Sequence, residues 1–161
     1  MLFGSTKDFN LINGLNEELL SNVLEQEILY YKISLEETVE NIYGESVGKK
    51  YWIPVKLNCL IVRGDQAVTV DDFGPDLNRP ASFGFLRKSL VDANVVPEVG
   101  DVVLWDESYY EVDTVRENQL FVGRDSSYNL TSYGSKYGSS LSIIVDCHMT
   151  RAERVGITEV R

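Results

Sequence analysis

The chain has 161 residues and a formal net charge of −10, with 43% apolar and 25% charged residues. A chain of this length buries roughly 70% of its unfolded surface, so we expect one domain that folds without disulfides or metal. The 15 basic residues lie scattered among 25 acidic ones, which argues against a surface that grips nucleic acid. No apolar run approaches the roughly 18 residues of a membrane span, and no signal peptide is recognisable at residues 1–5, so we expect no membrane association.

An arm and a helix are predicted at the start of the chain. Residues 1–13 show no clear period and predict an N-terminal arm that stays mobile until a partner orders it. From Gly14 to about Gln26 the apolar period is helical. The apolar stripe of this helix comprises Leu15, Leu19, Leu20, Val23 and Leu24. Ser34 and Glu37 match a capping box, which predicts a second short helix, although an ordered loop fits this segment equally well.

The remaining sequence predicts short strands. Alternating apolar residues, bounded by turn-forming residues, recur at a spacing of roughly eight residues, which is typical of an antiparallel meander. The predicted strands are 28–33, 52–62, 67–70, 83–87, 102–105, 109–116, 119–123 and 141–150. We therefore expect a mainly β fold, a small antiparallel β-barrel or sandwich with one or two short helices and long extended loops.

Turn-forming residues set the predicted loops and domain limits. Residues 71–80 and 126–140 are predicted loops, and Glu117-Asn118 a turn between strands. Asp101 follows Gly100 in a strand-entry turn, where an Asp side chain usually caps backbone amides. The single β-rich domain is expected to span residues 14–150, followed by a C-terminal tail at 151–161.

The sequence contains few candidates for catalytic or metal-binding residues. His148 is the single histidine and is predicted to be a surface or hydrogen-bonded residue. Cys59 and Cys147 form no metal-binding spacing and sit in alternating apolar runs, so both are expected in the core. No nucleophile elbow or phosphate-binding loop occurs. Asp71, Asp72 and Asp76 crowd one loop, but their spacing is not that of an EF-hand, and a solvated loop tip is the favoured interpretation. We expect neither enzymatic activity nor a cofactor.

Aromatic residues favour protein contacts instead. Tyr offers a large contact area at a low cost in conformational entropy, and the tyrosines of loop 126–140 have few basic neighbours. A loop folded back over the barrel, with its tyrosines as lids, is equally compatible. The residues predicted to form subunit interfaces are Tyr128, Tyr133, Tyr137, Asp71, Asp72, Phe73, Arg151 and Arg154.

Several segments, taken in order, resemble the neck proteins of contractile-tailed bacteriophages, which complete and close the head. The main segment of likeness is Pro97–Trp105 with the Tyr-Glu-Val that begins at Tyr110. The other segments are Glu18–Leu20, Glu27–Tyr31, Ile42–Glu45, Asp71–Gly74, Phe83–Phe85 and the last strand, which ends in Cys147.

The resemblance implies a β-barrel subunit of the virion that forms a homo-oligomeric ring, a hexamer favoured over a dodecamer. Such a ring lies between the portal-adaptor proteins and the tail, closes the DNA-filled head and docks the tail. Its partners would be further copies of itself, the adaptor, and tail or tail-terminator proteins. DNA would pass through the lumen without specific binding. Before assembly the subunit would reside in the host cytoplasm.

Other functions remain open at this point. A tail terminator or another tail connector shares the same small-barrel design and differs in its partner. A small β-barrel hydrolase would require two carboxylates with displaced pKa values in a cleft. A peptide-binding barrel of the SH3 type would be monomeric and expose an aromatic groove.

Overall fold

A computed structural model describes residues 6–34, 36, 38–40, 46–71, 74–120 and 140–157 of the chain. The fold is mainly β, as predicted, and its centre is a seven-stranded antiparallel sheet. No helix among the described residues is long and apolar enough to cross a membrane.

Short strands make up most of the described chain. The strands are β1 (Glu27–Tyr31), β2 (Val39–Glu40), β3 (Ser46–Gly48), β4 (Val55–Asn58), β5 (Leu60–Arg63), β6 (Ala67–Asp71), β7 (Gly74–Asn78), β8 (Pro80–Leu86), β9 (Val102–Trp105), β10 (Ser108–Leu120) and β11 (Ser140–Thr150). The helices are α1 (Thr6–Glu18), continued by a π-helix (Leu19–Leu24), then α2 (Arg87–Asp92) and α3 (Ala152–Val155). The pairs β2–β3 and β6–β7 form separate two-stranded ribbons.

The main sheet curls, because its two edge strands follow each other directly in the chain. Its strand order is β4-β1-β9-β10-β11-β8-β5, which places β4 at one edge and β5 at the other. These two strands are consecutive in the chain and are separated by Cys59 alone. The sheet is nevertheless not closed into a barrel, because β4 and β5 are not paired with each other.

The core lies inside this curl. Phe83 and Phe85 of β8 and Ile143 and Val145 of β11 are almost fully buried, as their alternation predicts. The Phe83 ring contacts Tyr110 edge to face at a centroid distance of 5.6 Å. Such aromatic pairs add to the stabilisation that burial of apolar area provides. Both cysteines are buried in this core, as predicted.

The hairpin β9–β10 is the feature that the sequence predicts best. Trp105 pairs with Ser108, and the two connecting residues, Asp106 and Glu107, have φ angles of 48° and 60°. Two successive positive φ angles match the right-handed twist of the flanking strands and give a tight two-residue turn.

Helical segments cover parts of the outer face of the sheet. Ile12 of α1 packs against a cluster formed by Leu20, Leu86 and Leu141. At the other side, Val155 of α3 packs against Val102 and Tyr109.

These contacts correct two predicted limits. The first helix begins at Thr6 rather than Gly14, so residues 6–13 of the predicted arm are helical. Residues 152–155 of the predicted tail form α3, which packs against the sheet.

Two further predictions are wrong. Residues 74–78 form strand β7 within the predicted loop 71–80, with Asp71 paired to Gly74. β10 runs through the predicted turn at Glu117-Asn118, because it continues to pair with β11. For the segment after Ser34, the sequence leaves a short helix and an ordered loop both open. The Thr38 amide donates to the Ser34 carbonyl at 3.2 Å and Val39–Glu40 form β2, which favours the loop.

Candidate subunit-interface surfaces

Most of the exposed large apolar side chains among the described residues belong to two groups. Single exposed apolar residues are normal on a soluble protein, whereas grouped ones mark contact sites. The first surface, here the tryptophan patch, consists of Trp52, Ile53, Val96 and Val99. The second, here the helix groove, is lined mainly by Leu19, Leu20 and Leu24 of the π-helix and Leu60, Val62 and Ile144 of the sheet.

Lys32 brings the two halves of the tryptophan patch together. Its carbonyl accepts a 2.8 Å hydrogen bond from the Trp52 amide. Its ammonium donates to the Val96 carbonyl at 2.7 Å and lies 3.1 Å from the Glu98 carboxylate. The segment before β4 and the turn before β9 are therefore fixed relative to each other.

A buried carboxylate anchors this arrangement from below. Asp101 is fully buried and accepts hydrogen bonds from the Tyr30 hydroxyl at 2.6 Å, the Ile33 amide at 2.9 Å and the Glu98 amide at 2.9 Å. The prediction that Asp101 caps backbone amides is confirmed. Burial and the Asp101 charge raise the pKa of Tyr30 far above its ordinary value, so its hydroxyl stays a donor at physiological pH.

The helix groove lies between the π-helix and the outer face of β5, β8 and β11. It holds about 250 Å³. Lys88 of α2 donates to Glu17 at 2.6 Å and fixes the end of α1 above the sheet. Leu60 and Val62 remain 47% and 55% exposed on the floor of the groove, because no described segment covers them.

The π-helix explains why this groove stays open. Its wide turn is closed by a 3.1 Å bond from the Glu25 amide to the Leu20 carbonyl, five residues earlier. Of the predicted apolar stripe, only Leu20 is buried, whereas Leu19 and Val23 are exposed. The π-helix therefore buries Leu20 alone of its apolar side chains and presents the others to solvent.

A polar cluster borders the groove beyond Ser82. Asp146 accepts hydrogen bonds from Ser82 at 2.6 Å, Arg116 at 2.7 Å and Thr114 at 3.2 Å. A bulge at Asp113 brings Thr114 opposite Asp146. Burial alone would raise the pKa of Asp146, but the bonds from Ser82 and Arg116 hold it below its ordinary value.

The titratable side chains nearby do not assemble a recognisable nucleophilic pair. His148 Nδ1 contacts Asp113 at 2.7 Å, and the Ser82 hydroxyl donates to Asp146 rather than to an imidazole. Burial raises the pKa of the Cys59 thiol to about 12, which keeps it protonated and unreactive. Within the described ranges, no group of three His, Cys, Asp or Glu residues is placed to hold a metal ion.

The predicted interface residues lie elsewhere or outside the described part of the chain. Asp71 pairs with Gly74 at the end of β6, Arg151 is exposed before α3, and Arg154 lies within α3. The residues outside the described ranges are Tyr128, Tyr133, Tyr137, Asp72 and Phe73.

The two apolar surfaces were not predicted as sites. A signal for the tryptophan patch is present, since two large apolar residues, Trp52 and Ile53, stand between two lysines and Pro54. The structure places both residues before β4 and not within the predicted strand 52–62. The groove has no comparable signal, because its members come from segments far apart in the chain.

Comparison with protein-family models and with curated protein sequences finds no match for this chain. The function is therefore inferred from the surfaces themselves and from the short segments of resemblance.

Proposed function

We propose that the chain is a non-enzymatic structural subunit that forms a ring in the neck of a contractile-tailed phage. The ring lies between the portal-adaptor proteins and the tail, closes the filled head and provides the docking surface for the tail. The observation that carries this proposal is the presence of two different exposed apolar surfaces on one small domain.

The position of the two surfaces fits ring formation. Leu24 of the helix groove precedes β1, and Lys32, which is bonded to Trp52 and Val96 of the tryptophan patch, follows it. β1 has five residues and spans roughly 16 Å at about 3.3 Å per residue, so the two surfaces lie at opposite ends of this strand. Head-to-tail association through two unlike surfaces generates a ring when the rotation closes.

The segments of resemblance add support. The longest of them, Pro97–Trp105, forms the turn and strand that carry Asp101 and part of the tryptophan patch. The net charge of −10 also suits a channel through which DNA passes without sticking, because like charges repel.

A phage that lacks the chain tests this proposal. If an early stop codon is placed in its gene, we expect filled heads and complete tails that do not join, and joining should resume when the purified chain is added. Normal joined particles made without the chain would refute the proposal. Defective tails on intact heads would instead support the tail-terminator alternative, in which the chain binds the tail tube rather than the portal adaptor.

A further inference from the structure

We infer that the tryptophan patch of one copy packs into the helix groove of the next copy in the ring. This inference rests on the proposed function and assigns the occupant of the groove. The size of the groove, the exposure of the patch residues and the charges that flank both surfaces support this contact.

The groove is large enough for this occupant. A cavity of about 150 Å³ takes up a benzene molecule, and the helix groove holds about 250 Å³. The groove is therefore large enough for an indole ring with part of a branched aliphatic side chain. Its lining is almost entirely apolar, so a polar or charged occupant would lose its hydration without gaining partners.

The tryptophan patch supplies a matching projection. Trp52 is 55% exposed and Ile53 is 87% exposed, although both are large and apolar. They stand in a non-strand segment immediately before β4, with Pro54 behind them. The backbone of this segment is held by Lys32, so the side chains are presented without a large further loss of conformational freedom.

The segments that flank the two surfaces carry complementary charges. Next to these segments, Glu98 beside the patch is paired with Lys32, and Arg63 beside Val62 is paired with Asp106. Residues 49–56 include three lysines and no acid, whereas residues 16–27 include four glutamates and no base. Some of these charges are paired within the chain, namely Lys49 with Glu111, Lys56 with Glu27 and Glu17 with Lys88. Lys50 beside the patch and Glu18 and Glu25 beside the groove are exposed. Such rim charges steer association and disfavour patch-to-patch contact between copies, since like charges would meet.

Cysteine cross-linking between copies tests the contact. One chain carries Ile53→Cys and a second carries Val62→Cys, and the two are mixed at high concentration under mild oxidation. The native cysteines are buried and contribute little background. We expect a disulfide-linked dimer of the two variants at a yield at least about tenfold above that of the control pair Ile53→Cys with Val68→Cys, because contact raises the effective thiol concentration. Val68 is a matched control because it is 60% exposed on β6, outside both surfaces.

Two further arms sharpen the test. Trp52→Ala, introduced into the Ile53→Cys chain, should reduce the yield to that of the control pair while the circular dichroism spectrum stays unchanged. A chain with both Ile53→Cys and Val62→Cys should form closed oligomers, seen as high-mass species without reducing agent. A dominant Ile53→Cys homodimer would overturn the inference in favour of a two-fold contact, and a yield equal to the control would overturn it as well.

The contact between copies and the neck function can be refuted independently of each other. Joining of heads and tails that depends on the chain, together with no specific cross-link, would keep the neck function and refute this contact. A specific cross-link from a chain that is dispensable for joining would keep the contact and refute the neck function.

Discussion

Replacement of Asp101 by alanine should destabilise the fold more than any comparable surface change. The Asp101 carboxylate is fully buried, and it joins the end of β1 to the turn that precedes β9. Its removal leaves the Tyr30 hydroxyl and the amides of Ile33 and Glu98 without their acceptor.

The magnitude follows from these three donors. A buried donor left unsatisfied costs about 1–3 kcal/mol. The alanine variant also avoids the cost of burying a charge, which offsets part of the loss. We therefore expect Asp101→Ala to lower the free energy of unfolding by about 3–5 kcal/mol, which is the lower part of the sum for three donors.

Asp101→Asn removes the negative charge of the side chain and keeps its shape, so it measures the contribution of the charge. One oxygen of Asp101 accepts from Tyr30 and Glu98, and the other accepts from Ile33. An asparagine keeps one oxygen and points its amide group at the remaining donor. Asp101→Asn should therefore lower the free energy of unfolding by about 2–4 kcal/mol, since hydrogen bonds to charged groups contribute about 1.5–3 kcal/mol.

Urea unfolding followed by tryptophan fluorescence and circular dichroism measures these values. Asp106→Asn is the matched control, because Asp106 has an exposed side chain and asparagine tolerates its positive φ. The free energy of unfolding of Asp106→Asn should stay within about 0.5 kcal/mol of that of the parent. If Asp101→Ala lowers the free energy of unfolding by less than about 1 kcal/mol, Asp101 does not anchor the tryptophan patch.

Three further predictions concern single residues. The pKa of Asp146 is lowered in the folded state, so its stabilisation is present above its unfolded pKa and is lost as the pH falls through the lower folded value. Asp146→Asn should therefore flatten the loss of stability below about pH 4 in acid titrations, and an unchanged profile would contradict this. Phe83→Ala removes a fully buried ring and should cost about 3–5 kcal/mol in urea unfolding, and a cost under about 1 kcal/mol would contradict its central place in the core. Gly100 has a φ of 93° and open space around its missing Cβ, so Gly100→Ala should cost about 1–2 kcal/mol through backbone strain alone. A thermal melt that matches the parent would show that the backbone relaxes there instead.

Strands with strict alternation were predictable from the sequence. β8 buries every second residue from Ala81 to Phe85, and β11 does so from Leu141 to Cys147. The tight turn at Asp106-Glu107 separates two apolar runs. In these elements the local pattern and the tertiary burial require the same conformation, so the sequence alone is sufficient.

Elements that depend on distant partners were not predictable. β7 contains Gly74, Pro75 and Asp76, which favour turns, and it is a strand because β6 pairs with it. Helix α1 begins at Thr6, and its Ile12 packs against a cluster that includes Leu86 and Leu141, which are far away in the chain.

The candidate surfaces were hidden for a related reason. The period of the helix marks its apolar residues but not which of them the sheet covers, and the π-helix leaves Leu19 uncovered. Trp52 is of the aromatic type that suits protein contacts, but its exposure and its link to Val96 through Lys32 arise only from the fold.

Electron cryomicroscopy of intact particles tests the central claim most directly, if the chain is traced in the density of the neck. The proposal predicts a closed ring of identical copies between the portal adaptor and the tail. A chain found on the tail alone, or missing from the particles, would contradict it.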